Sequence, residues 1–244
     1  MKSLKNIFGH IWAVWGLLVF FTSMLPTLIV MSACFFLKDP ARAGWQQKVS
    51  RVWMAVFLFL TGCRLEMHNR KFYQSGNNYI VVCNHNSFMD VIATNPFLPN
   101  TSKTIAKKSM ANIPLFGLIY RWGSVLVDRK KESSRKQSYM DMKTVLAMGM
   151  DMVLFPEGTR NKSKAPLQPF KKGAFRLSVE ARVPIIPVVL FGTRRIMPAD
   201  KGFYLMPGKI ELHFLPPVDP GALTVNELSQ KVFESMWNYY EANY

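Results

Sequence analysis

The stretch YIVVCNHNSFMD, residues 79–90, decides the fold of this 244-residue chain. Its first half, Tyr79 to Cys83, is a short apolar run of the length and composition of a buried strand. Its second half opens with Asn84 and His85 and carries Asp90 five residues after the histidine. On one continuous helix, residues five apart point about 140° away from each other. His85 and Asp90 can therefore meet only if His85 lies in a strand-to-helix turn and Asp90 on the helix that follows. The stretch predicts a core strand that ends in a titratable pair.

The same alternation continues through the chain. Apolar runs predict strands at 79–83, 103–106, 124–127, 152–155 and 185–190, with a further one at 209–215. Helical patterning falls between them at 88–93, 113–121, 134–148 and 174–181, and an amphipathic helix at 225–240 closes the chain. This order predicts an α/β fold with a mixed, mostly parallel sheet flanked by helices. Pro184 and Pro187 fit the fifth strand only at its start or at a sheet edge. Sites in open α/β sheets gather at the carboxyl ends of strands. Three polar clusters sit there: Asn84-His85, Asp128-Arg129 and FPEGTR at 155–160.

Outside this region the N-terminus has its own character. No charged residue occurs from Ile11 to Leu37, a run long enough to cross a bilayer core or lie deep within it. It is aromatic (Trp12, Trp15, Phe20, Phe21) and holds Pro26, which predicts a kink. A second helix is expected to begin after Lys38-Asp39-Pro40, with Trp45, Val49, Val52, Trp53 and Val56 at helical spacing, and to end in the apolar run from Ala55 to Leu60. Lys2 and Lys5 precede the first helix, and Lys38, Arg42, Lys48 and Arg51 follow it. A single crossing would put some of these on the non-cytoplasmic face, against the positive-inside bias. A helix pair that enters one leaflet and returns keeps them on one side; a single span and a water-soluble core helix are the alternatives. Two units are expected: a membrane-embedded two-helix motif at 1–62 and an α/β domain at 63–244.

The formal charge of +16 calls for a polyanionic partner, either nucleic acid or an anionic membrane surface with a phosphorylated substrate. An aromatic–basic platform or a groove-reading helix is absent from the pattern, so no nucleic acid is expected. Three cysteines without metal-type spacing suggest a reducing compartment, no disulfides and no metal site. The expected location is the cytoplasmic face of a membrane, such as a bacterial inner membrane. The basic loop 160–172 is expected on the head groups, with Leu167 and Phe170 as anchors.

In the turn geometry, Asp90 accepts the proton on one ring nitrogen of His85 and leaves the other nitrogen as a base. No Gly-x-Ser-x-Gly elbow accompanies the pair, so the simplest role is a general base acting on a substrate hydroxyl. An isolated histidine is more often structural; His10, His68 and His213 have no such context and read as structural or surface residues. In FPEGTR, Gly158 allows a tight turn, Arg160 offers a planar fork for a phosphate, and Glu157 could orient that arginine or line the base pocket.

Taken in order, NHNSFMD (84–90), GSVLVDR (123–129), FPEGTR (155–160) and VPIIPV (183–188) resemble the four motif blocks of the 1-acylglycerol-3-phosphate acyltransferases, within the wider glycerolipid acyltransferase family. The stretch 106–117 resembles the segment between the first two blocks, and the N-terminal helix pair is similar to that of bacterial members. The resemblance implies that His85 takes the proton from the sn-2 hydroxyl of lysophosphatidic acid while Asp90 orients it. The hydroxyl attacks a thioester of acyl carrier protein or coenzyme A without an acyl-enzyme, and no cofactor is needed. Arg160 with Lys107 or Lys108 would hold the acceptor phosphate. Glu157, Gly158 and Thr159 complete the third block, and a turn amide near Gly158 is the expected oxyanion donor. Asn161 stands where a serine is frequent. The alternatives are an acyltransferase acting on another lysolipid or a lyso-aminolipid, and a non-enzymatic basic lipid- or nucleic-acid-binding membrane protein.

Overall fold

A computed structural model describes residues 2–243. Seven strands form one sheet in the order β1-β7-β6-β2-β5-β3-β4. They are β1 (Cys63–His68), β2 (Ile80–Cys83), β3 (Ser102–Lys107), β4 (Ser124–Val127), β5 (Asp151–Leu154), β6 (Ile185–Phe191) and β7 (Gly208–Phe214). The run from β6 through β2, β5 and β3 to β4 is parallel, whereas β7 pairs antiparallel with β6 and parallel with β1. The mixed, mostly parallel sheet is as expected. Edge strand β1 is the one strand the sequence reading lacks.

The central strands are apolar throughout because both faces are covered. On β2, Val81 and Cys83 join one core cluster and Ile80 and Val82 the other. On β6, Ile186, Val188 and Leu190 face the first cluster, and Ile185 and Val189 the second. Helices α5 (Glu132–Ala147), α6 (Gly173–Ala181) and α8 (Val225–Asn243) supply the second layer. Helices α1 (Lys2–Met31), α2 (Ala41–Leu60), α3 (Met89–Thr94), α4 (Phe116–Gly123) and the short α7 (Thr193–Ile196) lie on the other side.

Pro187 lies inside central strand β6, not at a start or an edge. Its carbonyl accepts the Leu215 N–H at 2.9 Å, so its missing N–H falls on the β7 side. There the register slips by one residue, from Val188 opposite Phe214 to Ile185 opposite Val218. A proline is tolerated at such a bulge because the ladder is already interrupted.

α1 runs through Pro26 and forms an antiparallel hairpin with α2. Indole N–H groups stitch it: Trp12 to the Thr61 carbonyl (3.0 Å), Trp15 to Leu60 (2.9 Å), Trp45 to Val30 (3.1 Å) and Trp53 to Ser23 Oγ (2.9 Å). The hairpin lies along the sheet layer. Trp53, Met54, Phe57 and Leu58 of α2 share a core with β2, β6 and β7, and Arg51 donates to the carbonyls of Pro96 and Leu98 at 2.8 and 2.6 Å. At the tip, Asp39 meets the buried Lys103 ammonium at 2.5 Å. The outer face of α1 exposes Leu4, Ile7, Ile11, Val14, Leu18, Phe21, Leu25 and Ile29, in steps of three or four. An exposed apolar stripe of this extent marks an interaction surface. By length and composition, Leu4–Phe35 could cross a membrane.

The loop 160–172 departs from expectation. Leu167 is buried and Phe170 packs on Phe175 and Phe233. Both anchor the loop to the second core layer, so neither serves as a lipid anchor.

Candidate active site

β2 ends at Cys83 and the chain turns into α3, which begins at Met89. Asn84 is locked against β6: its side-chain amide donates to the Leu190 carbonyl (3.0 Å) and its oxygen accepts the Leu190 N–H (2.7 Å). This pins the strand end and turns His85 outward. His85 Nδ1 lies 2.9 Å from Asp90 Oδ2, and the same oxygen accepts the N–H groups of Asn86 (2.6 Å) and Ser87 (2.7 Å). The fully buried Asp90 therefore holds both the imidazole and the turn that carries it. Because a carboxylate can only accept, the proton sits on Nδ1 and Nε2 keeps its lone pair. Ser87 is committed elsewhere: its Oγ donates to the Met197 carbonyl (2.7 Å) and accepts the Met89 N–H (3.0 Å).

β5 is the neighbour of β2 on the other side, and FPEGTR leaves its carboxyl end at the same rim. Of the two places expected for Glu157, its contacts put it beside His85 and not on Arg160. Its Oε1 accepts the His85 N–H at 2.8 Å and its Oε2 the Gln168 N–H at 3.1 Å. It touches His85 through the backbone and makes no bond to Arg160. Burial pushes this carboxyl up to about 7, against the two backbone donors that favour its ionised form. The Asn161 N–H donates to the His85 carbonyl at 2.6 Å, so His85 is held at both ends of its peptide. The buried Asn161 side chain also accepts from Ser163 N–H (2.9 Å) and donates to Ala165 O (3.0 Å), folding the loop behind it.

The turn amide expected as an oxyanion donor is not free at Gly158, whose N–H donates to the Phe155 carbonyl at 3.0 Å. Gly158 adopts φ +75°, and a Cβ there would lie 2.8 Å from Lys171 Cε. Its carbonyl accepts from Arg129 Nη1, which ties the second motif to the third. Thr159 is exposed, with Oγ1 3.4 Å from Gln168 Oε1. The Arg160 guanidinium lies over the Phe88 ring at 3.8 Å, which fixes its plane beside the His85 turn. Lys107 ends β3 and Lys108 follows; both are exposed at the same rim, two strands from His85, or roughly 10 Å at ordinary strand spacing.

An apolar cavity of about 370 Å³ opens beside Phe88, walled by Leu17, Phe20, Ile92, Phe116 and Tyr204. It lies between the hairpin and the α3–α4 layer. Elsewhere, ligand atoms of His68, Glu211 and His213 come within 4.8 Å of one another. Lys209 already lies 2.8 Å from Glu66 and 3.2 Å from Glu211, so a cation is built into that cluster.

Fold and site together place a His–Asp pair on the carboxyl edge of an α/β sheet, beside an apolar cavity. Residues 64–191 match the family model described as acyltransferase. The chain is 30% identical over 240 residues to a human 1-acyl-sn-glycerol-3-phosphate acyltransferase alpha, spanning 87% of this chain and 84% of the relative. The mouse protein of the same name is 31% identical over 183 residues, spanning 74% of this chain and 64% of its own length. A crystal structure of the 1-acyl-sn-glycerophosphate acyltransferase of Thermotoga maritima has the same fold, with a TM-score of 0.80, 24% identity and coverage of 99% of this chain and 97% of that one. The chain belongs to the acyltransferase family.

Proposed function

We propose that the protein transfers an acyl chain from a thioester of acyl carrier protein or coenzyme A to the sn-2 hydroxyl of 1-acylglycerol 3-phosphate, giving phosphatidic acid. The observation that carries this reading is the buried Asp90 bonded at once to His85 Nδ1 and to the turn amides, beside an apolar cavity. His85 Nε2 takes the hydroxyl proton as the oxygen attacks the thioester carbon. The new C–O bond forms, the C–S bond breaks, and the proton on Nε2 passes to the departing thiolate. Asp90 holds the imidazole's tautomer and stabilises the imidazolium between these steps.

Arg160 is the phosphate ligand, its plane preset by Phe88; Lys107 lies at the outer rim and adds charge. Glu157, Gly158 and Thr159 form the turn that presents Arg160, and Glu157 also braces His85. The apolar cavity takes acyl chain. Residues 1–62 act as the membrane unit, with the exposed stripe of α1 and Val52, Val56 and Phe59 of α2 in one leaflet. Lateral delivery from the leaflet avoids extracting acyl chains into water, which costs about 0.8 kcal/mol per methylene. The basic surface faces anionic head groups on the cytoplasmic side of the membrane. The test is acyl transfer by purified protein in lipid with lysophosphatidic acid as acceptor. No phosphatidic acid formed with either donor contradicts the reading.

A further inference from the structure

Two cavities reach the His85 turn, one at Phe88 and one at Asn86. One is the apolar cavity beside Phe88. The other is polar, about 670 Å³, and is lined by Asn86, by the end of β6, and by Lys5, Arg194 and Arg195. A further cavity of about 350 Å³ shares Arg194 and Tyr240 with it and adds Lys164. The two make one basin leading from the catalytic turn to the surface. Lys209 and Glu211 in its wall offset each other at 3.2 Å, and Lys5, Lys164 and Arg194 line it together with Glu241.

Arg194 is the link between basin and turn. Its Nη2 donates to Asn86 Oδ1 at 2.9 Å, and its Nε has no hydrogen-bond partner. A guanidinium oriented by one amide and left with unspent donors is prepared for phosphate oxygens. The acceptor's own phosphate does not suit this place. It is one carbon away from the attacked hydroxyl's carbon and must stay with the acyl chain on the apolar side, where Arg160 lies. A thioester donor, by contrast, carries its nearest phosphate at the far end of a long pantetheine arm. It needs a polar site displaced from the reacting carbon.

We propose that this basin binds the phosphate of the 4′-phosphopantetheine arm common to coenzyme A and acyl carrier protein. The donor then enters through the polar basin and the lipid acceptor through the apolar cavity, and both lead to the His85 turn. This rests on the thioester-dependent reading above.

The test is equilibrium binding of coenzyme A and of holo-acyl carrier protein to full-length protein in micelles, alongside kinetics with donor and acceptor varied separately. The variants are Lys5→Gln with Lys164→Gln, two exposed changes that leave folding intact, and Arg194→Gln with Arg194→Lys as its conservative partner. Loss of charge-assisted contacts should weaken donor binding about tenfold and raise the donor KM in step. The KM for lysophosphatidic acid stays within about twofold of wild type, and Arg194→Lys recovers part of the loss. Equal weakening of both donors identifies the shared arm; weakening of one identifies that donor's carrier. Unchanged donor affinity in both sets, or a rise confined to the acceptor KM, overturns the proposal. If wild type makes no phosphatidic acid, the functional reading fails, and the binding measurements still decide whether the basin takes phosphopantetheine.

Discussion

Glu157→Gln separates two effects that one carboxyl combines. The group lies buried with its pKa near 7, against an ordinary value of 4.5. Between pH 4.5 and 7 the folded protein therefore keeps a proton that the unfolded chain releases. The stability associated with that proton is fully present below pH 4.5, falls as pH rises, and is gone above 7. A shift from 4.5 to about 7 corresponds to about 3 kcal/mol. Glutamine removes this term, but it offers one acceptor to two backbone donors, those of His85 and Gln168. One N–H then faces an amide NH₂, at a cost of about 1–3 kcal/mol. At pH 8 the two changes nearly cancel, whereas the loss of stability from pH 5 to pH 8 becomes shallower by about 3 kcal/mol. The His85 turn loses an anchor, and a shift of up to 1 Å at the base lowers kcat by about 10²-fold. Denaturant unfolding in micelles at pH 5 to 8, with kcat from thiol release, measures both. An unaltered pH dependence of stability, or a kcat within twofold of wild type, refutes the reasoning.

Further outcomes follow from single contacts. Asp90→Asn should fold, because Oδ1 has no hydrogen-bond partner and can be replaced by NH₂ while the amide oxygen keeps the Oδ2 bonds. Its kcat should fall about 10²–10⁴-fold with Tm little changed, checked by turnover and thermal unfolding of the same sample. Gly158→Ala forces φ +75° on a residue with a Cβ and should cost about 1–3 kcal/mol, read from the denaturant midpoint. Leu18→Asp with Phe21→Asp places charge on the outer stripe of α1, where both side chains are more than half exposed. Liposome flotation should fall sharply while the fold, followed by circular dichroism, is retained.

The sequence showed much of this architecture because its central strands are buried on both faces. The apolar runs ending in Cys83, Phe155 and Leu190 had no competing reading as helix at that length. The meeting of His85 with Asp90 was also legible, since a five-residue separation leaves only the strand–turn–helix geometry. β1 escaped because Arg64, Glu66 and His68 alternate with Leu65 and Met67, an edge pattern with little apolar signal. The reversed direction of β7 has no local signature at all. Long-range partners were equally silent. Glu157 bonds a backbone amide 72 residues away, and Arg194 reaches Asn86 across 108. Leu167 and Phe170 looked like membrane anchors because a basic, proline-bearing loop gives no sign of the core beneath it. The positive charge was read as facing lipid, yet Arg51 is spent on the backbone carbonyls of Pro96 and Leu98, and Lys103 on the Asp39 carboxylate.

The central claim is that His85 is the base for acylation of a phosphate-bearing lysolipid. The direct measurement is acyl transfer in bilayers by wild type, His85→Ala and Arg160→Ala, with lysophosphatidic acid set against lysophosphatidylcholine. The account predicts phosphatidic acid from wild type, at least about 10²-fold less from His85→Ala, and a raised lysophosphatidic acid KM for Arg160→Ala. Undiminished transfer by His85→Ala, or equal use of lysophosphatidylcholine by wild type, contradicts it.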